Sequence, residues 1–469
     1  MSNQALRLLA RNPAPVALPR VPLGRYLVDN GVVTPDQLVQ ALQMQLRLGA
    51  PIGEILVSEG WARAGDVLAA LAQQYNMYRV DLTLQPPDPG LCGDVAHGIW
   101  LQHRAIAWMR VGRTVLIATA RPEGAPEGSK GLGLYLVPSH VDEDWVTPND
   151  YQVTYLKEKI GTRALATGEI ELEGALAYEI AAPPEGLRVM MEALGCSRVH
   201  NAMAAAAVMR RALGEALAWV CNREVFGKRL IAQPMVRKRI VELAVRWHAG
   251  CAMAFEAAYS FDKAFCGGDD YVWSRIVTAL AKYKTAEDAL WCAQKALSLV
   301  AGNGYTEDYP VARLFRDAMV LPVWEGPEQI QALELMRMIT GRQSGDRVFL
   351  ERLNGIVAEL DAAGLEIEKD NLEAVLADMR AALEALRARP EHAEVVAGDF
   401  LHKMSDLVAY ALLCREAVWE LENQQDRSKR LVCECYYKSM LTLQNAPSFE
   451  RHALMEHFDA FIGGQPIPA

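Results

Sequence analysis

The sequence predicts a mainly α-helical protein with a small β portion. The expected order is a helical repeat module, a short β segment, a long helical bundle and a helical extension. Three observations carry this. From about residue 186 to the end, apolar residues recur with a 3.6-residue period over long stretches. Strand-like runs between Gly- and Pro-rich turns are confined to about 120–180. Ahead of them, two copies of one short helical motif lie in tandem.

Residues 1–20 read as a disordered leader, because Asn12-Pro-Ala-Pro is loop-like. Its early arginines mimic an organelle presequence, but no apolar signal core follows. In the block 21–119, Leu23-Gly-Arg-Tyr-Leu-Val-Asp-Asn-Gly31 repeats as Ile52-Gly-Glu-Ile-Leu-Val-Ser-Glu-Gly60. The matches continue as Leu38 with Val67 and Leu42 with Leu71. Each copy reads as a short helix, a Gly stop and a second amphipathic helix, and Thr34-Pro35 starts the second helix of the first copy. After Pro86-Pro-Asp-Pro89, the run from Arg110 to Thr119 reads as a hairpin entering a strand.

In the block 120–182, strands are expected at Gly133–Val137, Tyr151–Tyr155 and Thr167–Leu172. Residues 183–343 then read as a helical bundle, with long segments at Met203–Arg223, Met235–Phe261 and Val272–Val300. A turn-rich stretch from Ala301 to Pro310 breaks it, and helices resume near Gln329. Residues 344–469 read as a further helical extension.

Composition narrows the class. Of 469 residues, 51% are hydrophobic and 23% charged, as in an ordinary globular chain and unlike a disordered one. The net charge of -10 argues against a coat for nucleic acid or anionic lipid. No apolar run approaches the length of about 18 residues that a membrane helix needs. The nine cysteines are scattered without a CxxC pair, and Cys433-Glu-Cys435 alone is a poor zinc signature. Reduced thiols in a cytoplasmic protein are the expectation.

Three patterns could carry chemistry. Glu325 stands in Trp324-Glu-Gly-Pro327 before a helix. A carboxylate on such a turn can enter an apolar pocket and serve as a general base, or it can be a loop acid favourable with a helix dipole. Arg223 and Phe226, three apart at the end of a long helix, could hold a phosphate and stack a flat ring. They could equally be a helix C-terminus with Phe226 in the core and Gly227 as the stop. Ala301-Gly-Asn-Gly-Tyr305 could bring main chain close to a phosphate, or be a plain turn.

Taken together and in order, these motifs resemble the acyl-CoA dehydrogenase family from Arg121 to about Ile339. The carrying residues are Arg121-Pro-Glu-Gly-Ala-Pro126, Gly133-Leu-Tyr-Leu-Val-Pro138, Leu156-Lys-Glu-Lys-Ile-Gly-Thr-Arg163, Ala166-Thr-Gly-Glu169, Ser197-Arg198, Arg223-Glu-Val-Phe-Gly227, Gly302-Asn-Gly-Tyr305, Arg316-Asp-Ala318 and Trp324-Glu-Gly326. The extension is similar to that of the alkylation-response branch. The resemblance implies a FAD-dependent dehydrogenation of an acyl-CoA, with Glu325 as the catalytic base. It implies substrate contacts at Trp324 and Arg198. Arg223 and Phe226 match a pair that reaches the FAD of a neighbouring subunit, so a homo-oligomer is expected. Gly302 and Gln329 match further FAD-contacting positions. No metal is implied, and the electron acceptor is unspecified.

The sequence departs from that pattern in places. Ser298 replaces a Gln, Ala301 replaces a Gly and Pro327 replaces a common Thr. The family's N-terminal helical domain and the first half of its β-domain have no counterpart, so a fusion is expected with a junction between about Gly112 and Ala125. The block 21–119 resembles the N-terminal domain of type II secretion and pilus-assembly ATPases, also appended to some glycosyltransferases. One version of that domain binds cyclic di-GMP through motifs beginning Arg-Leu-Gly. Here Pro22 and Pro51 stand where those arginines would be, which favours a docking or structural module. No Walker-A sequence is present. Two alternatives to the dehydrogenase reading are a non-catalytic cyclic di-GMP-sensing or docking protein and a DNA-associated flavoprotein. Against the latter, residues 341–469 hold 14 Lys and Arg against 22 Asp and Glu. Arg427-Ser-Lys-Arg430 is expected to be a solvated helix face.

Overall fold

The structure is a computed structural model that describes residues 22–48, 50–74, 115–141, 147–442 and 456–467. These residues form two compact units, 22–74 and 115–467, each considered by itself. The segment around Tyr78 to Leu82 and the leader lie outside the described residues.

The first unit holds α1 (Leu23–Asp29), α2 (Pro35–Leu48), α3 (Ile52–Ser58) and α4 (Ala64–Gln74). The repeat predicted from sequence has a physical basis in each copy. A Cβ on Gly24 would lie 2.4 Å from Leu38 Cδ1, and one on Gly53 would lie 2.7 Å from Val67 Cγ1. Each glycine therefore lets a short helix pack directly on the next. Gly31 and Gly60 end the short helices at positive φ, 68° and 71°. A capping box opens α2: the Gln37 N–H donates to Thr34 Oγ1 at 3.2 Å, and the Thr34 N–H donates to Gln37 Oε1 at 2.8 Å.

The second unit begins with β1 (Val115–Ala120), β2 (Gly133–Pro138), β3 (Tyr151–Leu156), β4 (Gly168–Leu172) and β5 (Tyr178–Ala181). β1, β2 and β5 form an antiparallel sheet, and β3 pairs with β4. The sequence places the strand Val115–Ala120 within the first block; it pairs with β2, Val115 opposite Pro138, and so belongs to the second unit. β5 is an addition to the strands expected from sequence.

Long helices follow: α5 (Gly186–Asn222), α6 (Pro234–Lys263), α7 (Gly268–Val300), α8 (Pro310–Ala318) and α9 (Glu328–Thr340). The short hairpin β6 (Glu224–Val225) and β7 (Lys228–Arg229) joins α5 to α6. The first three helices pack closely because small residues line their contacts, among them Ala205, Ala212, Ala244, Ala257, Ala281 and Ala293, all buried.

The extension comprises α10 (Gly345–Ala362), α11 (Glu366–Ala388), α12 (Ala393–Gln424), α13 (Ser428–Tyr436) and α14 (Phe458–Ile462). It shares one hydrophobic core with the bundle, running from Ala202 to Ile467. Buried charge stitches the two together. Lys284 Nζ on α7 meets Asp406 Oδ1 on α12 at 2.9 Å and Asp288 Oδ2 at 3.2 Å. Tyr436 on α13 donates to Asp406 Oδ1 at 3.0 Å. Burial opposes the Lys284 charge, but Asp288 and Asp406 outweigh it and hold its pKa above the ordinary lysine value.

Arg427, Lys429 and Arg430 are not a solvated face. Lys429 pairs with Glu416, Arg430 Nε donates to Glu368 at 2.7 Å, and Arg427 lies 2.6 Å from His457 Nε2. Acid partners inside the fold neutralise Lys429 and Arg430, leaving them little charge for a phosphate backbone.

Replacing Asp406 by Ala removes one of the two acids that hold the Lys284 ammonium, leaving Asp288, and strands the Tyr436 hydroxyl in the core. Leaving a buried hydroxyl unsatisfied beside a weakened buried ion pair costs about 1–3 kcal/mol. Urea unfolding of Asp406→Ala should show a loss of that order, well beyond that of an exposed acid such as Glu394→Ala.

Candidate functional site

The site is a turn between two helices of the bundle. After α8, residues 319–326 turn back, and α9 starts at Glu328. Glu325 has φ 58° and Gly326 φ 99°. A non-glycine residue at positive φ costs of order 1–3 kcal/mol and persists where its surroundings overdetermine it. Here they do. Arg198 Nε and Gln331 Nε2 each donate to the Glu325 carbonyl at 3.0 Å. Lys282 Nζ donates to the Gly326 carbonyl at 2.7 Å and to the Pro322 carbonyl at 3.1 Å. Gln331 also reaches the Gly326 carbonyl at 3.0 Å, and Asn201 Nδ2 reaches the Leu321 carbonyl at 3.2 Å.

All of these bonds go to the main chain. The half-buried Glu325 carboxylate makes no hydrogen bond to a described residue, so it keeps its lone pairs for another molecule. Gly326 is required on two counts. Its φ favours glycine, and a Cβ would lie 2.8 Å from Gln331 Nε2.

The electrostatics behind the turn are cationic. Burial pushes the Lys282 amine down to about 8, the Arg198 charge adds to this, and Glu287 and Glu325 oppose it. Burial also lowers Arg198, helped by Arg275 and opposed by Glu325. Arg275 is itself paired with the buried Glu334.

Of the residues singled out by sequence, Glu325, Trp324 and Arg198 come together at this turn. Trp324 packs against the core, and its buried Nε1 has no hydrogen-bond partner among the described residues. Arg223 and Phe226 do not share a helix face. α5 ends at Asn222, Arg223 is extended, and Phe226 sits at φ 55° in the hairpin turn with Gly227 at φ 77°. Phe226 is 92% exposed, so it is not a core residue either. Gly302 lies in a 3₁₀ turn after α7 with open space around its Cα, whereas Gly304 is needed by the fold, since a Cβ there would lie 2.5 Å from the Leu297 carbonyl. Gln329 is exposed in the first turn of α9. Ser298 turns away, its hydroxyl donating to the Gln294 carbonyl at 3.0 Å.

The β segment buttresses the helix that leads into the turn. A Cβ on Gly161 would lie 2.1 Å from the Arg316 carbonyl, and the Thr162 N–H donates to Asp317 Oδ1 at 2.5 Å. Arg316 forks onto Glu307 at 2.6 and 2.8 Å. The motifs Leu156–Arg163 and Arg316–Ala318 are thus two sides of one contact.

Asn201, Lys282 and Gln331 escape a reading of the sequence alone. The available signal is polar residues at core positions of otherwise apolar helices: Asn201 among alanines, and Lys282 after Leu280-Ala281.

Comparison with known proteins agrees with this architecture. Residues 184–340 match the family model described as acyl-CoA dehydrogenase, C-terminal domain. The chain is 28% identical over 248 residues to acyl-CoA dehydrogenase family member 11 of Caenorhabditis elegans, covering 52% of this chain and 40% of that protein. It is 29% identical over 215 residues to the putative acyl-CoA dehydrogenase AidB of Escherichia coli, covering 46% of this chain and 39% of that one. A crystal structure of Caenorhabditis elegans ACDH-11 in complex with C11-CoA superposes with a TM-score of 0.65 at 26% identity, over 70% of this chain and 57% of that chain. The chain therefore spans about 40% of the length of these two curated relatives. Among the described residues, no helix is long and apolar enough to cross a membrane.

The lowered Lys282 pKa fixes the sign of a pH effect. Between about 8 and the ordinary lysine value of 10.5, the unfolded chain holds a proton that the native chain has released. Its contribution to stability is therefore full above 10.5 and lost as pH falls through about 8. Unfolding free energies measured from pH 7.5 to 10 should include this rise, and Lys282→Met should flatten it.

Proposed function

We propose that the protein is a FAD-dependent acyl-CoA dehydrogenase-type oxidoreductase that removes hydrogen across the α,β bond of an acyl-CoA. The observation that carries this reading is the Glu325 turn: a half-buried carboxylate, without a hydrogen bond to any described residue, on a loop whose main chain is held at several points. A base that must meet a weakly acidic C–H needs such fixed aim and limited water. The match of residues 184–340 to the family's C-terminal domain supports the assignment.

In this reading Glu325 takes the α-proton onto its carboxylate. Trp324 forms an apolar wall beside it, and Arg198 holds the turn through the Glu325 carbonyl. When bound, FAD would accept the β-hydride at its N5 position. The chain's residues fit such a group. Arg223 and Phe226 stand exposed at a structured hairpin, one cation and one aromatic ring, and Gly302 offers open main chain. Side chains presented outward in this way suit a cofactor shared with another copy, so a homo-oligomer belongs to the proposal. Gln329 is assigned to the same cofactor. The superposed Caenorhabditis elegans structure is a complex with C11-CoA, which makes a medium-chain acyl-CoA the first substrate to try.

The test is the visible spectrum of the full-length protein, followed anaerobically after adding a medium-chain acyl-CoA. Bleaching of an oxidised flavin spectrum is expected. Glu325→Gln should keep the flavin and slow bleaching by about 10²–10⁴-fold, the usual yield of a positioned general base. A protein that takes up no FAD, or a Glu325→Gln variant that bleaches at the native rate, would overturn the reading.

A further inference from the structure

Lys282 is an unusual residue for its position. It is 1% exposed on α7, with Leu280, Ala281 and Ala286 buried beside it. A buried ammonium is costly unless its hydrogen bonds are made. Among the described residues no carboxylate meets it within salt-bridge distance; its acceptors are the carbonyls of Pro322 and Gly326. An apolar residue of the same length, such as Met, would fill this space without the desolvation cost. The bonds a Met would lose bracket one residue of chemical interest, Glu325.

The geometry separates Lys282 from the other holders of the turn. Arg198 acts on the Glu325 carbonyl itself, and Gln331 on the Glu325 and Gly326 carbonyls, whereas only Lys282 among the described donors reaches Pro322. Lys282 spans the chord of the turn, joining a point three residues before Glu325 to the residue after it. Without that tie, the peptides on either side of Glu325 can rotate, and φ 58° at Glu325 loses one of its restraints. Because Nζ already donates to two main-chain oxygens, Lys282 is not placed to exchange protons with a substrate.

We infer that Lys282 is a positioning residue for Glu325, fixing the aim of the base by clamping the main chain on both sides of it. This rests on the function proposed above. Displacement of a reacting group by about 1 Å can cost of order 10²-fold in rate, so a clamp of this kind acts on the chemical step.

The experiment uses the full chain loaded with FAD and compares Lys282→Met with Lys282→Arg. Hydrogen exchange followed by mass spectrometry reads the turn without substrate, and steady-state kinetics reads the chemistry. In Lys282→Met, peptides covering residues 319–327 should exchange at least about tenfold faster, while peptides within 404–414 of α12 stay as in the native protein. kcat should fall at least about tenfold with KM unchanged, and Lys282→Arg, which keeps a charged donor, should recover much of the loss. If Lys282→Met does not fold, Lys282→Gln, which keeps amide donors but no charge, is judged by the same two readouts, with smaller expected effects. Unchanged exchange at 319–327, or a lowered melting temperature with native kcat, would overturn the proposal. If the native protein turns over no acyl-CoA, the functional reading fails, and the exchange result alone decides whether Lys282 clamps the turn.

Discussion

Much of the second unit is arranged around a turn whose main chain is held from behind. Glu325 occupies a backbone conformation that an unsupported loop would leave. The support comes from side chains on three helices: Arg198 and Asn201 from α5, Lys282 from α7 and Gln331 from α9. Each donates to a carbonyl that a tight turn leaves without a helical partner. The polar groups of the turn and the polar groups of the bundle therefore satisfy one another.

This arrangement needs a bundle packed closely enough for short donors to reach. The alanines of α5, α6 and α7 provide that, as does Gly250, where a Cβ would lie 2.2 Å from the Met209 methyl. α7 is central because it is buried on more than one side. Lys282 and Lys284, two residues apart and so about 200° apart around the helix, face different partners. Lys282 holds the Glu325 turn, and Lys284 joins Asp288 and Asp406. One helix thus fixes the turn on one face and anchors the C-terminal extension on another.

Legibility from sequence follows the physics of each feature. The long helices announce themselves by period, and their observed ends, Asn222, Lys263 and Val300, fall within two residues of the expected ones. The tandem module is legible because identical packing needs, Gly24 on Leu38 and Gly53 on Val67, leave identical spacing. Arg223 and Phe226 do not share the helix face expected of them, because the helical period breaks at Asn222 and the chain enters a hairpin. Arg427, Lys429 and Arg430 look solvated in sequence because the acids that pair with the two last, Glu416 and Glu368, are 13 and 62 residues away along the chain. The clamp on the turn is invisible for the same reason. A donor 44 residues from its carbonyl leaves no local pattern, only the anomaly of a lysine in an apolar run.

That anomaly has a physical logic. In the function proposed for Glu325, a base needs a free carboxylate, yet a free carboxylate on a mobile loop has no aim. Holding the Glu325 side chain by an ion pair would fix it but occupy its oxygens, and would stabilise the charged form that has to accept a proton. Holding the main chain fixes the origin of the side chain and leaves its oxygens open. Main-chain carbonyls carry no formal charge, so cations such as Arg198 and Lys282 can clamp them without a carboxylate partner, at the expense of lowered pKa values in both. In the proposed function, restraint is thus applied to the peptide and reactivity is left to the side chain.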